Sequence, residues 1–137
     1  MNLLYTKPDN TLILTTLAID IDPYEYDTLH RSRGDIPDDW KLVATNIKWP
    51  DNGWSHESLR WSGTDIIVDI LAAKEETKKI LRQEREVLFS ALDVQFMRNW
   101  EQGLDNSKIV AEKERLRNIT NLVDEVNTLQ ELKNIRL

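Results

Sequence analysis

The residues that could carry proton transfer or bind a metal are few and scattered in this sequence. Its two histidines are His30 and His56, and both are expected to be solvated surface residues. His56-Glu57 is not followed by the second histidine of a helical zinc site, and His30 lies among polar residues. The chain has no cysteine, no glycine-rich phosphate loop and no Gly-x-Ser-x-Gly nucleophile turn. These features predict that the protein is not an enzyme and holds no cofactor or metal.

An acidic cluster follows the first β-prone segments. Its members are Asp20, Asp22, Glu25 and Asp27. A calcium loop starting at Asp20 would need glycine at its sixth position, which is Glu25, and a carboxylate at its twelfth, which is Arg31. Helix capping and solubility therefore explain the cluster better than calcium binding.

Paired carboxylates for glycoside hydrolysis are the remaining catalytic option. The available side chains are Asp38, Asp39, Asp51 and Asp65. Because no spacing singles out one pair, hydrolysis is a third alternative behind two binding functions.

Tryptophan is concentrated in the first half of the chain. The four residues are Trp40, Trp49, Trp54 and Trp61. Tryptophan serves both small cores and interface centres, and at least two of the four must be core in so small a domain. Trp54 follows Gly53 in a polar turn, so we expect it to be an exposed partner contact.

The chain changes character near residue 68, and this change predicts an α+β fold. Residues 1–68 contain every proline and short β-prone runs, which indicates a small antiparallel β-rich head of three to five strands. Strands are expected at 3–6 and 11–16 around a Lys7-Pro8-Asp9-Asn10 turn, and at 41–45, 59–61 and 65–68. Asp22-Pro23 predicts the start of a short helix.

Residues 69–137 read as two helices, at about 69–102 and 107–135, separated by Gly103. We expect them to fold back as an antiparallel, coiled-coil-like hairpin. Apolar residues at spacings of three and four predict that the first helix is buried from Leu81 onward. The second helix carries a continuous apolar face to the end of the chain. Its last segment, 123–137, is the part most expected to need a partner, because the hairpin alone cannot hide both faces.

Charged residues near these apolar faces allow two readings. Salt bridges between the helices would explain Arg85, Asp93, Arg115 and Arg117. Alternatively, Arg85 and Asp93 fix the hairpin while Arg117 and Asn118 mark the end of a recognition surface.

Charge and hydropathy limit the partners. The net charge is −6, with the acidic excess in the first half and mixed charge in the helices, so we expect no nucleic-acid partner. No stretch approaches the about 20 apolar residues of a bilayer crossing, so we expect no membrane partner. No secretory signal is recognisable, and host cytoplasm is the expected location.

Three segments together resemble one family. They are Trp61-Ser62-Gly63, residues 82–93 (RQEREVLFSALD) and residues 113–119 (KERLRNI). Over about residues 60–120 their order is similar to that of tail assembly chaperones of tailed bacteriophages, including tail-fibre assembly proteins. Val94 stands where many members have tryptophan, and the chain continues helically where many end.

The resemblance implies a non-enzymatic phage protein that binds a tail or tail-fibre subunit through its helical region during assembly. The alternative is a structural component of the virion or tail that oligomerises or docks through its C-terminal helices. The expected partner-binding residues are Trp54, Leu81, Arg85, Leu88, Leu92, Asp93, Phe96, Trp100, Leu116, Arg117, Val123, Val126 and Leu129.

Overall fold

A computed structural model describes residues 1–18 and 20–137 and has the predicted α+β class, with short antiparallel strands followed by long helices. The chain divides into two compact units, Met1–Ala73 and Lys74–Leu137. The elements, in chain order, are β1 (Asn2–Thr6), β2 (Leu12–Thr16), α1 (Pro23–Ser32), β3 (Lys41–Thr45), a 3₁₀ turn (His56–Ser58), β4 (Leu59–Trp61), β5 (Ile66–Val68), α2 (Ile70–Glu101), α3 (Ser107–Glu125) and α4 (Leu129–Lys133).

The predicted hairpin at the start of the chain is confirmed. Strands β1 and β2 pair antiparallel, with Leu4 opposite Leu14. The connecting turn is closed by Asp9, whose carboxylate accepts hydrogen bonds from the backbone amide and hydroxyl of Thr11. Asn10 adopts the left-handed conformation at φ 65°, which asparagine tolerates better than most residues.

Strand β1 lies at the centre of a sheet of order β2-β1-β3, and β4 and β5 form a separate antiparallel pair. Because side chains alternate along a strand, β1 serves two cores. Leu3 and Tyr5 pack with Ile36 in one, and Leu4 packs in the other with Leu12 and Leu59. The central position of β1 therefore organises the whole first unit.

Helix α1 begins where the sequence predicts. The Asp22 carboxylate accepts from the amides of Tyr24 and Glu25, and Pro23 occupies the first turn. A partly buried polar network then joins α1 to β1. The Tyr5 hydroxyl donates to Asp27 Oδ1 over 2.8 Å, and Arg31 donates to the same oxygen over 3.0 Å.

The second unit contains most of α2, together with α3 and α4. The sequence predicted a helix from 107 to about 135, but α3 ends at Glu125. The chain restarts as α4 after Thr128, whose hydroxyl accepts from the Glu131 amide while the Glu131 carboxylate accepts from the Asn127 amide. These two side chains bind the backbone amides of Asn127 and Glu131, which in a continuous helix would donate to carbonyls four residues earlier. This local capping explains why the helix ends before residue 135. Among the described residues, no helix is long and apolar enough to cross a membrane.

The buried Tyr5 hydroxyl makes the first unit sensitive to alkaline pH. Burial raises the pKa of Tyr5 above its ordinary value of about 10, and the hydrogen bond to Asp27 raises it further. Above about pH 10 the unfolded chain loses this proton while the folded chain keeps it, so the free energy of unfolding falls as pH rises, by up to about 1.4 kcal/mol per pH unit. Tyr5→Phe should lower stability by about 1 kcal/mol at neutral pH and flatten this alkaline decline.

Urea unfolding followed by tryptophan fluorescence measures both effects, because four of the five tryptophans lie in the first unit. Tyr24→Phe is the matched control, since Tyr24 is 63% exposed. An alkaline slope that is equal in wild type and Tyr5→Phe would contradict the assignment.

Candidate partner-binding surface

Polar contacts between α2 and α3 run in opposite directions along the two helices. Near the start of α2, Lys78 Nζ lies 2.7 Å from Asp124 Oδ1, close to the end of α3. Further along α2, Arg85 Nη1 donates to the Leu116 carbonyl over 3.2 Å. Contacts closer to the turn continue this trend, so each step forward in α2 meets an earlier residue of α3.

The apolar residues of the second unit divide into a buried and an exposed set. The buried ones are Leu81, Ile109, Leu116, Ile119, Val123 and Leu132. Most of them belong to α3, where positions 109, 116 and 123 repeat every seven residues. The narrow apolar face of α3 is thereby hidden.

Arg85 links α2 to the backbone of α3. Besides the Leu116 carbonyl, its Nη1 donates to the Arg117 carbonyl over 3.3 Å. Each helical carbonyl has a second lone pair beyond the one used in its own helix, so these bonds cost α3 nothing. The Phe89 ring is about equally far from two guanidinium groups, 6.0 Å from that of Arg85 and 5.9 Å from that of Arg117.

A second link lies about two turns further along α2. Asp93 forms an ion pair with Lys113 of α3. The Lys113 ammonium also lies 5.4 Å from the centre of the Phe96 ring. The side chain of Lys113 is mostly buried, with 17% exposure, so its aliphatic part is largely shielded from water. Asp93 neutralises the charge of its ammonium group. Arg85 and Asp93 thus both join α2 to α3.

The turn between α2 and α3 is built from local hydrogen bonds. The Leu104 amide donates to the Asn99 carbonyl over 2.8 Å, and the Gly103 amide donates to the Trp100 carbonyl over 3.2 Å. These two bonds define a Schellman ending, which needs the left-handed conformation of Gly103 at φ 67°. Asn106 then donates its side-chain amide to the Phe96 carbonyl over 3.2 Å, which ties the turn to the last turns of α2.

Large apolar side chains remain exposed at this turn. Trp100 is 71% exposed, Met97 is 55% exposed and Leu104 is 56% exposed. We call these three residues the tip cluster. Met97 and Trp100 are neighbours on the helix surface at a spacing of three, and Leu104 follows the glycine that ends the helix. A tryptophan this exposed is unusual outside binding surfaces, because tryptophans are on average highly buried.

The prediction that α2 is buried from Leu81 onward is wrong beyond Leu81 itself. Leu92 and Phe96 are half-buried, Leu88 is 39% exposed and Trp100 is mostly exposed. The reason is geometric, since α3 contacts one side of α2 while apolar residues occur on several sides.

The other predicted partner-binding residues of the helical half occupy varied surroundings. Leu116 and Val123 are buried, Arg85, Val126 and Leu129 are half-buried, and Asp93 and Arg117 are exposed. Arg115 and Arg117 pair with Glu112 and Glu114 within α3, so the prediction of bridges between helices is wrong for these two arginines. The surface available to a partner is therefore smaller than the predicted set.

Two predictions in the first unit also need correction. Trp54 is half-buried and packs against the core of Leu4, Leu12 and Leu59, so it is not the exposed contact that the sequence predicted. His30 is not a solvated histidine either. Its Nδ1 lies 2.8 Å from Asp35 Oδ2. His56 is exposed, as predicted.

The acidic cluster takes the structural role that the sequence favoured, with Asp22 capping α1 and Asp27 bound to Tyr5 and Arg31. Within residues 1–18 and 20–137, no group of three or more histidine and carboxylate side chains is placed to hold a metal ion.

Several residues of the helix pair and its turn were not among the predicted site residues. Among them are Phe89, Met97, Leu104 and Lys113. Phe89 lies four residues after Arg85, and Lys113 lies four before Arg117, so helical spacing was the signal that could have found them. Leu104 carried no such signal because it lies outside both helices.

Comparison of the chain with models of known protein families, with curated proteins and with solved structures found no match.

The Schellman turn yields a stability prediction. A Cβ at position 103 would meet no atom within 4 Å, so Gly103→Ala should lower the free energy of unfolding through backbone strain alone, by about 1 kcal/mol. Gly103→Asn should cost less, because asparagine tolerates left-handed geometry. Urea unfolding followed by far-ultraviolet circular dichroism measures both variants. If Gly103→Ala is as stable as wild type, the left-handed closure is not required.

Proposed function

We propose that this chain is a non-enzymatic assembly chaperone for a tail or tail-fibre subunit of a tailed bacteriophage, acting in the host cytoplasm. The observation that carries the proposal is the tip cluster, an exposed apolar group held at the end of a tied pair of helices. A binding protein needs an exposed apolar surface of this kind.

We infer that α2 and α3 form an antiparallel, coiled-coil-like hairpin. The opposed order of their contacts supports this arrangement, as does the seven-residue repeat of buried positions in α3. A hairpin of this kind holds its turn at a fixed distance from the rest of the helices. Residues at the turn can then enter a groove of a partner with little loss of conformational entropy.

The two helical segments that resemble the phage family are in contact with each other. Arg85 of segment 82–93 reaches the carbonyls of Leu116 and Arg117 in segment 113–119, and Asp93 pairs with Lys113. In this chain the family-like residues therefore stabilise the helix pair from within. The exposed residues of the tip cluster, which lie outside these two segments, would contact a client.

The mechanism would be temporary shielding of apolar surface. A fibre subunit that has not yet oligomerised exposes an apolar surface, which Trp100, Met97 and Leu104 can cover in place of the missing subunits. Tryptophan is enriched among residues that dominate binding energy, because its large rigid surface loses little entropy on burial. Subunit oligomerisation would then displace the chaperone.

Co-expression tests the proposal. Tail and tail-fibre subunits of the phage or prophage that encodes this chain are expressed with and without it, and soluble subunit and co-eluting complex are measured. A subunit that becomes soluble and elutes with the chain supports the chaperone function. Equal solubility of every tail subunit with and without the chain, and no complex, would contradict it. Constant stoichiometry of the chain in purified particles would instead favour the structural alternative.

Trp100→Ala should weaken the complex with the client at least tenfold, because truncation of a hot-spot tryptophan costs about 2 kcal/mol or more. Titration calorimetry or biolayer interferometry with the captured subunit gives the affinity. Tyr24→Ala is the matched control, since it removes another exposed aromatic residue, 63% accessible, from the first unit. Equal weakening by both variants would mean that the tip cluster is not the binding surface.

A further inference from the structure

A second apolar stripe runs along α2 on the side opposite its contacts with α3. Ile80 is 46% exposed, Val87 is 72% exposed and Val94 is 52% exposed, and the exposed Ala91 lies between the last two. We call these four residues the outer stripe. At about 100° per residue they fall within about 60° of one another, and Arg85 lies roughly 160° from Val87.

We propose that the outer stripe binds the outer stripe of a second copy of this chain, with the two α2 helices antiparallel and the twofold axis near Ala91. Ile80, Val87 and Val94 repeat every seven residues, which is the period of a helix that keeps one seam against a partner helix. A seam of small and β-branched residues allows two helix backbones to approach closely.

Charge complementarity selects a second copy as the occupant. Glu84 and Arg98 each lie seven residues from Ala91, on opposite sides of it, and both belong to the face that carries the outer stripe. Both side chains are exposed, and among the described residues neither has an ion-pair partner. Antiparallel pairing about Ala91 brings Glu84 of each copy beside Arg98 of the other, which forms two equivalent ion pairs.

The same register also aligns the apolar residues. Val87 of one copy falls level with Val94 of the other to within about one residue, so the aliphatic side chains meet at the centre between the two ion pairs. Parallel pairing would instead place Glu84 against Glu84 and Arg98 against Arg98, and like charges side by side destabilise it. The pattern is therefore self-complementary in one orientation.

This inference does not rest on the proposed chaperone function, because Trp100 of the tip cluster lies on a different side of α2. At about 100° per residue, Trp100 is roughly 140° from Val87 around the helix. A dimer can form or fail to form whatever the client is.

Charge reversal tests the pairing on the full chain. Sedimentation velocity of the wild type at several protein concentrations should show a monomer–dimer equilibrium. Glu84→Arg alone and Arg98→Glu alone should each weaken dimerisation about tenfold or more, because each replaces two attractions by two repulsions. The double variant Glu84→Arg/Arg98→Glu should restore the wild-type affinity to within about threefold. Glu86→Arg, an exposed carboxylate away from the stripe, should leave it unchanged.

Introduced cysteines test the orientation, since the chain has none of its own. Ala91→Cys should form a disulfide-linked dimer under mild oxidation. Glu84→Cys should not, because antiparallel pairing separates the two copies of residue 84 by about 21 Å along the axis, far beyond the about 7 Å that a disulfide can span. A mixture of Glu84→Cys and Arg98→Cys chains should link to each other.

Circular dichroism of each variant serves as the control for folding. Val87→Asp, which adds a charge to the apolar stripe and leaves Glu84 and Arg98 unchanged, should also abolish the dimer. A wild-type chain that remains monomeric at every concentration would overturn the inference. So would efficient linkage of Glu84→Cys to itself, or a double charge reversal that dimerises no better than the single ones.

Discussion

Helix α2 carries apolar side chains on more than one side, and one neighbouring helix can cover only one of them. Leu81 is buried, whereas Val87, which lies roughly a third of a turn away, is 72% exposed. The Arg85 and Asp93 contacts hold α3 against one side of α2. Because that side is fixed by specific hydrogen bonds, α3 cannot rotate to cover the other. The exposed surface follows from this constraint.

The first unit, Met1–Ala73, contains two apolar cores of its own. Its central strand alternates Leu3 and Tyr5 toward one core and Leu4 toward another, and the partly buried tryptophans surround these cores. The tryptophans that distinguish the sequence therefore enlarge the two apolar cores of the first unit. Trp100, in the helical half, is instead 71% exposed. The packed and the exposed tryptophans thus lie in different halves of the chain, a difference that composition alone does not show.

Local chemistry explains which elements could be predicted. The β1–β2 hairpin, the start of α1 and strand β3 are specified by adjacent residues, such as Asp22 before Pro23. The position of β1 between β2 and β3 depends on pairing over about forty residues, which no local pattern encodes. The end of α3 was mispredicted for a different reason.

The apolar period continues through Val126 and Leu129, so the hydrophobic pattern predicted one helix. Thr128 and Glu131 form a capping pair that the pattern concealed. Attention to Thr-x-x-Glu spacing would have placed the break. The exposure of apolar residues on α2 was harder to predict from the sequence. Periodicity identifies the apolar faces of a helix but does not show which face another element covers.

The two proposals together describe a bivalent binder. Ala91 and Trp100 are nine residues apart, about 13 Å along α2, so an antiparallel pair would carry its two tip clusters at opposite ends of the paired segment, roughly 27 Å apart. Trp100 of each tip cluster would face away from the seam and remain accessible. Two identical sites at a fixed separation suit a client that presents repeated subunits, because the second contact then forms at a high effective concentration. A weak single site on each helix pair would be sufficient for capture and would still release each subunit once oligomerisation covers it.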